Sequence, residues 1–210
     1  MAIDAKDKAF YEYTPSHRFA PMYPLLAREI VDKFGIRNGT CLDVGTGSAA
    51  LSIEMSKLTD MDFIGLDNEP EAIDMATANC HRHDVPQGRI RFISSPVEDM
   101  PLPDDSVEFI VSRGSIPFWN DHVAAFKEVL RVLAPGGAAF VGCGFSHFQK
   151  LEDVREMRPK WSPEESAKRK NWSKGDFIKD TLQAAKVAEY EVQNDEYGTW
   201  VIIRKPGTEK

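Results

Sequence analysis

The sequence predicts an α/β fold: a doubly wound, mostly parallel sheet with helices on both faces and an antiparallel hairpin at the C-terminal end. Short apolar runs alternate with segments of helical period along most of the chain. Gly, Pro and Asp turns punctuate the junctions between them. Near the C-terminal end, two strand-like runs flank a short turn. The 210 residues suit one domain, since domains run to roughly 100–200 residues.

The first 20 or so residues read as irregular, and Tyr23 to Phe34 as a helix. Thr40 to Val44 is a short buried strand that runs into Gly45-Thr46-Gly47. Ala49 to Leu58 follows as a helix, with Leu51 and Met55 on one face. Met61 to Leu66 is the second strand, stopped by Asp67-Asn68. Asn68 with Glu71 three residues on reads as a capping pair, opening a helix with Ala72, Ile73 and Ala76. Ile90 to Ile93 and Val107 to Val111 are the third and fourth strands. Val123, Phe126, Leu130 and Leu133 share one helix face, which Pro135-Gly136-Gly137 is expected to end. Ala138 to Gly142 is the fifth strand. Ser162-Pro163-Glu164-Glu165 and Ser173-Lys174-Gly175-Asp176 each carry the cap-and-acid spacing of a helix start. Tyr190 to Gln193 and Thr199 to Ile203 form a hairpin around the turn at Asp195–Gly198.

Composition excludes several functions. A formal net charge of −7 argues against a nucleic-acid coat, because phosphate binding is mostly cationic neutralisation. No apolar run approaches the roughly 18–20 residues of a membrane span, and the polar start does not read as a signal peptide. Cys41, Cys80 and Cys143 are too few and too far apart for a disulfide framework or a Cys-x-x-Cys metal site. They fit a reducing, cytoplasmic setting.

In a sheet of this kind the ligand lies beyond the carboxyl ends of the strands. Gly45-Thr46-Gly47 stands there, where glycines let backbone N–H groups approach a ligand. Asp67 ends the next strand, 20 residues after Gly47, where a carboxylate accepts from both hydroxyls of a ribose. Its bland reading is a helix cap. Dinucleotides and S-adenosylmethionine both use such a pair. Asp43, two residues before Gly45, would repel a pyrophosphate but suits the ammonium and sulfonium of S-adenosylmethionine. Ala50 stands where a dinucleotide turn has its third glycine.

Leu42-Asp43-Val44-Gly45-Thr46-Gly47 resembles motif I of the class I S-adenosylmethionine-dependent methyltransferases. Ile64-Gly65-Leu66-Asp67, the segment Val97 to Glu108, Ile110-Val111-Ser112-Arg113 and Leu130 to Gly137 resemble later motifs of the UbiE-like small-molecule branch, in family order. The resemblance covers about residues 30–145 closely. It implies a Rossmann-like sheet of seven strands, S-adenosylmethionine as cofactor, S-adenosylhomocysteine as product and a small-molecule acceptor. Gly45, Thr46 and Gly47 would pass under the methionine part, with Asp43 nearby. Asp67 would hold the ribose and Asn68 the adenine edge. Val97 would meet the adenine ring, and the Ser112 or Arg113 carbonyl the amino group. Pro96 replaces the acid that often meets the adenine amino group, which leaves that contact to Glu98, Asp99 or water. Rival readings are a non-catalytic binder of the same cofactor, an RNA methyltransferase and a nucleotide-dependent oxidoreductase.

The acceptor side is expected from three segments. Residues 1–35 read as a lid and helix, or else as a disordered or merely packed tail; five aromatics (Phe10, Tyr11, Tyr13, Phe19 and Tyr23) are too apolar to stay solvated. Arg113 to Trp119 follows the fourth strand, and Arg113 could anchor an acidic group of donor or acceptor. Residues 146–173 form a locally basic insert, which suits an anionic acceptor or simply a solvated helix face. No catalytic dyad is evident; His147, His17 and Tyr11 are weak candidates for a base, and no metal site is expected. Gly142 and Gly144 could let a ligand approach Cys143. Gly45→Val is expected to abolish binding and spare the fold.

Overall fold

The computed structural model describes residues 12–160, 172 and 176–207. In chain order the elements are α1 (Met22–Phe34), β1 (Thr40–Val44), α2 (Ala50–Ser56), β2 (Asp62–Asp67), α3 (Pro70–Arg82), β3 (Ile90–Ser94) and β4 (Val107–Arg113). A short 3-10 turn at Ile116–Phe118 precedes α4 (His122–Val132) and β5 (Leu133–Gly142). Then come α5 (Leu151–Met157), α6 (Phe177–Ala184), β6 (Tyr190–Asp195) and β7 (Gly198–Arg204). The seven strands form one sheet in the order β3-β2-β1-β4-β5-β7-β6. The first five are parallel; β7 runs antiparallel to both β5 and β6. The chain therefore reverses its direction of travel across the sheet between β1 and β4, which places the crevice for a ligand there.

The period-2 alternation of the strands divides the core. Leu42, Val44, Ile64, Leu66, Ile110 and Val141 face α4 and α6, meeting Phe126, Val129 and Leu182. Cys41, Phe63, Phe109, Phe140 and Ile202 face the other way, toward Leu26 and Ile30 of α1 and Ile53 and Met55 of α2. Each fully buried aliphatic or aromatic side chain contributes about 1.5–3 kcal/mol, so both faces are anchored.

Two departures from the sequence reading bear on the site and the sheet. Asn68 does not cap α3: Pro70, whose ring pre-sets the helical φ, takes the first position, so Glu69 becomes the N-cap. The partner of the Glu69 N–H is an oxygen of Asp67, at 3.1 Å. Pro135-Gly136-Gly137 lies inside β5 rather than before it, because Gly136 N–H donates to the Lys205 carbonyl and Gly137 O accepts from Lys205 N. A shift in the β4–β5 pairing between Val107 and Phe109 absorbs the extra residues.

Gly142 and Gly144 make room for protein, not for ligand. Trp200 of β7 stacks on Phe140 at 4.2 Å with its ring 16° from parallel. A Cβ on Gly144 would lie 2.0 Å from the Trp200 indole nitrogen, and one on Gly142 2.2 Å from the Thr199 carbonyl oxygen. Gly144→Ala is therefore expected to cost about 1–3 kcal/mol as over-packing, read as a lower urea midpoint; an unchanged midpoint would show that Trp200 moves aside.

Candidate functional site

The β1–α2 turn is held by the end of β2. Gly45 and Thr46 both donate their N–H to the Leu66 carbonyl, at 2.7 and 3.0 Å. Gly47 N–H donates to Asp67 Oδ2 at 2.9 Å. The three amides expected to face a ligand are thus taken by β2. A pyrophosphate cradle needs such amides, so the turn does not suit a dinucleotide. Gly45 sits at φ +66°, and a Cβ there would lie 2.3 Å from the Ser115 Cβ. Gly45→Val therefore forces the loop after β4 away from the turn, and the expectation that the fold is spared is corrected: its effect on binding cannot be separated from damage to this joint.

Two buried carboxylates flank the turn. Asp43, only 3 % exposed, accepts from Ser52 Oγ at 2.7 Å and Thr46 Oγ1 at 3.0 Å, both on Oδ2. Burial pushes its carboxyl up to about 6; the Ser52 and Thr46 hydroxyls oppose this and the nearby Asp67 charge adds to it. Asp67 is also buried, and burial raises it against the pull of the Gly47, Glu69 and Asn68 amides. Among the described residues no Lys, Arg or His pairs with either acid. Asn68 is exposed beside them.

The other expected contacts are spread along the same strand ends. Val97 is buried in the core face that includes Leu66 and Ile93. Glu98 Oε1 accepts from the Asn120 and Asp121 amides at 2.7 and 3.1 Å, fastening the loop before α4; Asp99 is exposed. Ser112 is fully buried, its hydroxyl 2.6 Å from that of Ser115. Ser115, which sequence reasoning missed, also donates to the Val44 carbonyl at 3.2 Å and accepts from the Trp119 indole at 3.0 Å. Nothing in the local pattern signals this serine; only the glycine opposite it does. Trp119 packs edge-on against Phe126 and is a core residue.

Residues 12–23 lie against several of these elements. Tyr13 donates its hydroxyl to Glu54 Oε1 at 2.9 Å and its amide to Asn79 Oδ1 at 3.1 Å, and stacks on His83 at 4.7 Å. Asn79 Nδ2 in turn donates to the carbonyl of Ser48 in the turn, at 2.9 Å. Arg18 donates to the carbonyls of Met157 and Arg158 at 2.8 and 2.7 Å, tying this segment to the end of α5. His17 is buried among Tyr13, Phe19 and Tyr23, and its Nδ1 accepts from the Phe19 amide at 3.2 Å. The Arg113 guanidinium lies 4.4 Å from the centre of the Phe19 ring.

His147 stands between two acids. Nδ1 is 2.8 Å from Glu29 and Nε2 2.9 Å from Asp195. Burial works against its charged form, but the hydrogen bonds to Asp195 and Glu29 outweigh it and raise its pKa. Both nitrogens so engaged favour the doubly protonated ring, which has no lone pair to take a proton. The residue clips the β5–α5 loop to α1 and to the hairpin. Tyr11 and residues 161–171 and 173–175, with Lys168, Arg169, Lys170 and two expected caps, lie outside the described residues.

The fold and the paired acids at the ends of β1 and β2 define a cofactor-binding α/β domain. The family described as a methyltransferase domain matches residues 42–141. The crystal structure of a Methanococcus maripaludis protein assigned as an S-adenosyl-L-methionine-dependent methyltransferase is 30 % identical, with a TM-score of 0.81 over 100 % of this chain and 96 % of its own. Sterol 24-C-methyltransferase erg6 of Aspergillus fumigatus is 32 % identical over 60 % of this chain and 37 % of its own length. The C-methyltransferase UbiE of Geotalea daltonii is 31 % identical over 50 % and 45 %. The match thus spans less than half of either of these curated relatives. This chain belongs to the class I S-adenosylmethionine-dependent methyltransferases.

Asp43 also sets a pH dependence. The folded chain holds its proton more tightly than the unfolded chain, so the acid destabilises the fold progressively as pH rises from about 4 to about 6. Above that window the whole penalty stands, about 3 kcal/mol at 1.36 kcal/mol per unit. Asp43→Asn is expected to raise the denaturation midpoint at pH 8 and to leave it nearly unchanged at pH 4, while weakening S-adenosylhomocysteine binding measured by calorimetry. A midpoint lowered at pH 8 would show that the charge is already compensated in the fold.

Proposed function

We propose that the chain transfers the methyl group of S-adenosylmethionine to a small-molecule acceptor by in-line displacement. The observation that carries this reading is the pair of buried, cation-free acids on a turn whose amides are already taken. A ligand that brings positive charge and sugar hydroxyls suits them, and one that brings pyrophosphate does not. Bound there, the donor supplies an electrophilic methyl carbon on a good leaving group. Asp67 is placed to accept from the ribose, Asp43 to face the cationic end, and Val97 to pack on the base. Asn68, Glu98 and the carbonyls of Ser112 and Arg113 complete the donor side.

Residues 12–23 serve as the roof of the site and help exclude water. Positioning in such a site is worth roughly 7–11 kcal/mol, so a dedicated base is needed only where the acceptor must lose a proton. The sterol methyltransferase and UbiE relatives support a small acceptor over a macromolecule. Three widely spaced cysteines, with no Cys-x-x-Cys pair, support a reducing, cytosolic setting.

Thermal shift tests the donor assignment: S-adenosylhomocysteine is expected to raise the melting temperature and NAD to leave it unchanged, and the reverse would sink it. Asp67→Ala is expected to weaken S-adenosylhomocysteine by about 1.5–3 kcal/mol, the worth of a charge-assisted hydrogen bond. Unchanged affinity in calorimetry would return Asp67 to capping Glu69 and holding Gly47.

A further inference from the structure

Arg113 ends β4 and is half-buried. Three rings surround its guanidinium: Phe19 at 4.4 Å, Phe145 at 5.5 Å and Tyr23 at 5.9 Å. Its Nε donates a long hydrogen bond to the Gly144 carbonyl at 3.3 Å. The Tyr23 hydroxyl also lies close enough to interact with it. Among the described residues no carboxylate lies within ion-pair distance of it. The chain is not short of acids, with 33 Asp and Glu against 26 Lys and Arg. Stacking on rings leaves most of the guanidinium's in-plane N–H donors for another partner.

One further cation shares a ring of the cage, and another lies beside it at the end of α5. Arg158 lies 5.8 Å from the other contact ring, Phe145, and spends its own hydrogen bond on the Glu196 backbone carbonyl. Arg18 spends its donors on backbone carbonyls at the end of α5. Neither has a carboxylate partner among the described residues. The rings come from three separate places, the N-terminal segment, the start of α1 and the loop after β5, so the cage exists only when those parts are assembled.

We infer that Arg113, in its cage of Phe19, Tyr23 and Phe145, is the docking point for a carboxylate or phosphate group of the molecule that receives the methyl group. The inference rests on the methyltransferase reading and adds the charge class of the acceptor. A planar fork meets a carboxylate or phosphate through two parallel hydrogen bonds, and the aromatic walls keep water from competing. An anion held there fixes one end of the acceptor at the mouth of β4 and leaves its nucleophilic atom to reach toward the turn after β1. The donor carries a carboxylate of its own, and the same chemistry would serve it.

The test compares wild type with Arg113→Met and Arg113→Lys, each checked for an unchanged melting temperature. Tritiated methyl groups are transferred from S-adenosylmethionine to the small-molecule fraction of a cell extract, and the products are separated on an anion exchanger at pH 8. In the same set, calorimetry measures S-adenosylhomocysteine and 5′-methylthioadenosine, which lacks the amino-acid end. The expected result is label in the retained, anionic fraction, a loss of at least tenfold in Arg113→Met, partial recovery in Arg113→Lys, and affinities for both nucleosides within threefold of wild type. Loss of S-adenosylhomocysteine affinity with 5′-methylthioadenosine unchanged would keep the anion site but assign it to the donor's carboxylate, overturning the acceptor assignment. Label only in unretained products, or undiminished labelling by Arg113→Met, would overturn the inference. Failure of wild type to bind S-adenosylhomocysteine at all would count against the methyltransferase reading itself, and so is distinguishable.

Discussion

The tether between the β1–α2 turn and the end of β2 is the contact on which the rest of the site depends. Leu66 O receives two amides of the turn and Asp67 a third. These bonds require the chain to turn sharply at Gly45 and Gly47, both at positive φ. They also bring Asp43 and Asp67 close enough for one charge to raise the other's pKa. Once the amides are used in this way the turn has little to offer an anion, and the local potential is left to the carboxylates. The chemistry the cleft prefers is thus set by where three N–H groups point.

Much of this was legible in the sequence. Short apolar runs such as Thr40–Val44 and Asp62–Asp67 are strands because both faces of a parallel sheet are covered, and such runs survive without alternation. The two acids could be read from their position at the ends of those runs. What could not be read depends on contacts distant in the chain. Ser115 gains its role from a glycine 70 residues earlier, and no local period encodes that. The glycines around Cys143 looked like a ligand approach, but Trp200 arrives there only once β7 has paired with β5. The apolar count of the N-terminal segment foretold that it would pack somewhere, while its anchors on Glu54, Asn79 and the end of α5 are purely tertiary.

His147 shows the same limit at a titratable group. Its place just after β5 made it the best base by position. The fold supplies Glu29 from α1 and Asp195 from the hairpin, and two carboxylates convert a base candidate into a fastener. Position along a strand end selects residues near the cleft, but the protonation state is decided by neighbours from other elements. A methyl transfer that relies on alignment does not need that histidine as a base, so its use as a clip carries no penalty for the proposed reaction.

The signs of charge around the cleft form one arrangement. Acids stand at the ends of β1 and β2, a guanidinium stands at the end of β4, and the Tyr23 phenol lies within the field of both Asp43 and Arg113. On the proposed reading, a cationic donor and an anionic acceptor each meet the opposite sign, and like-charged arrangements of the two are disfavoured. A water-poor enclosure strengthens both attractions, because opposite charges interact more strongly where the dielectric is low. The unpaired acid that weakens the free fold above pH 6 then has a use, because a cation arriving beside Asp43 relieves the same burial penalty that the fold bears without it. On the proposed reading, the energy that folding leaves uncompensated at Asp43 becomes selectivity for a positively charged ligand.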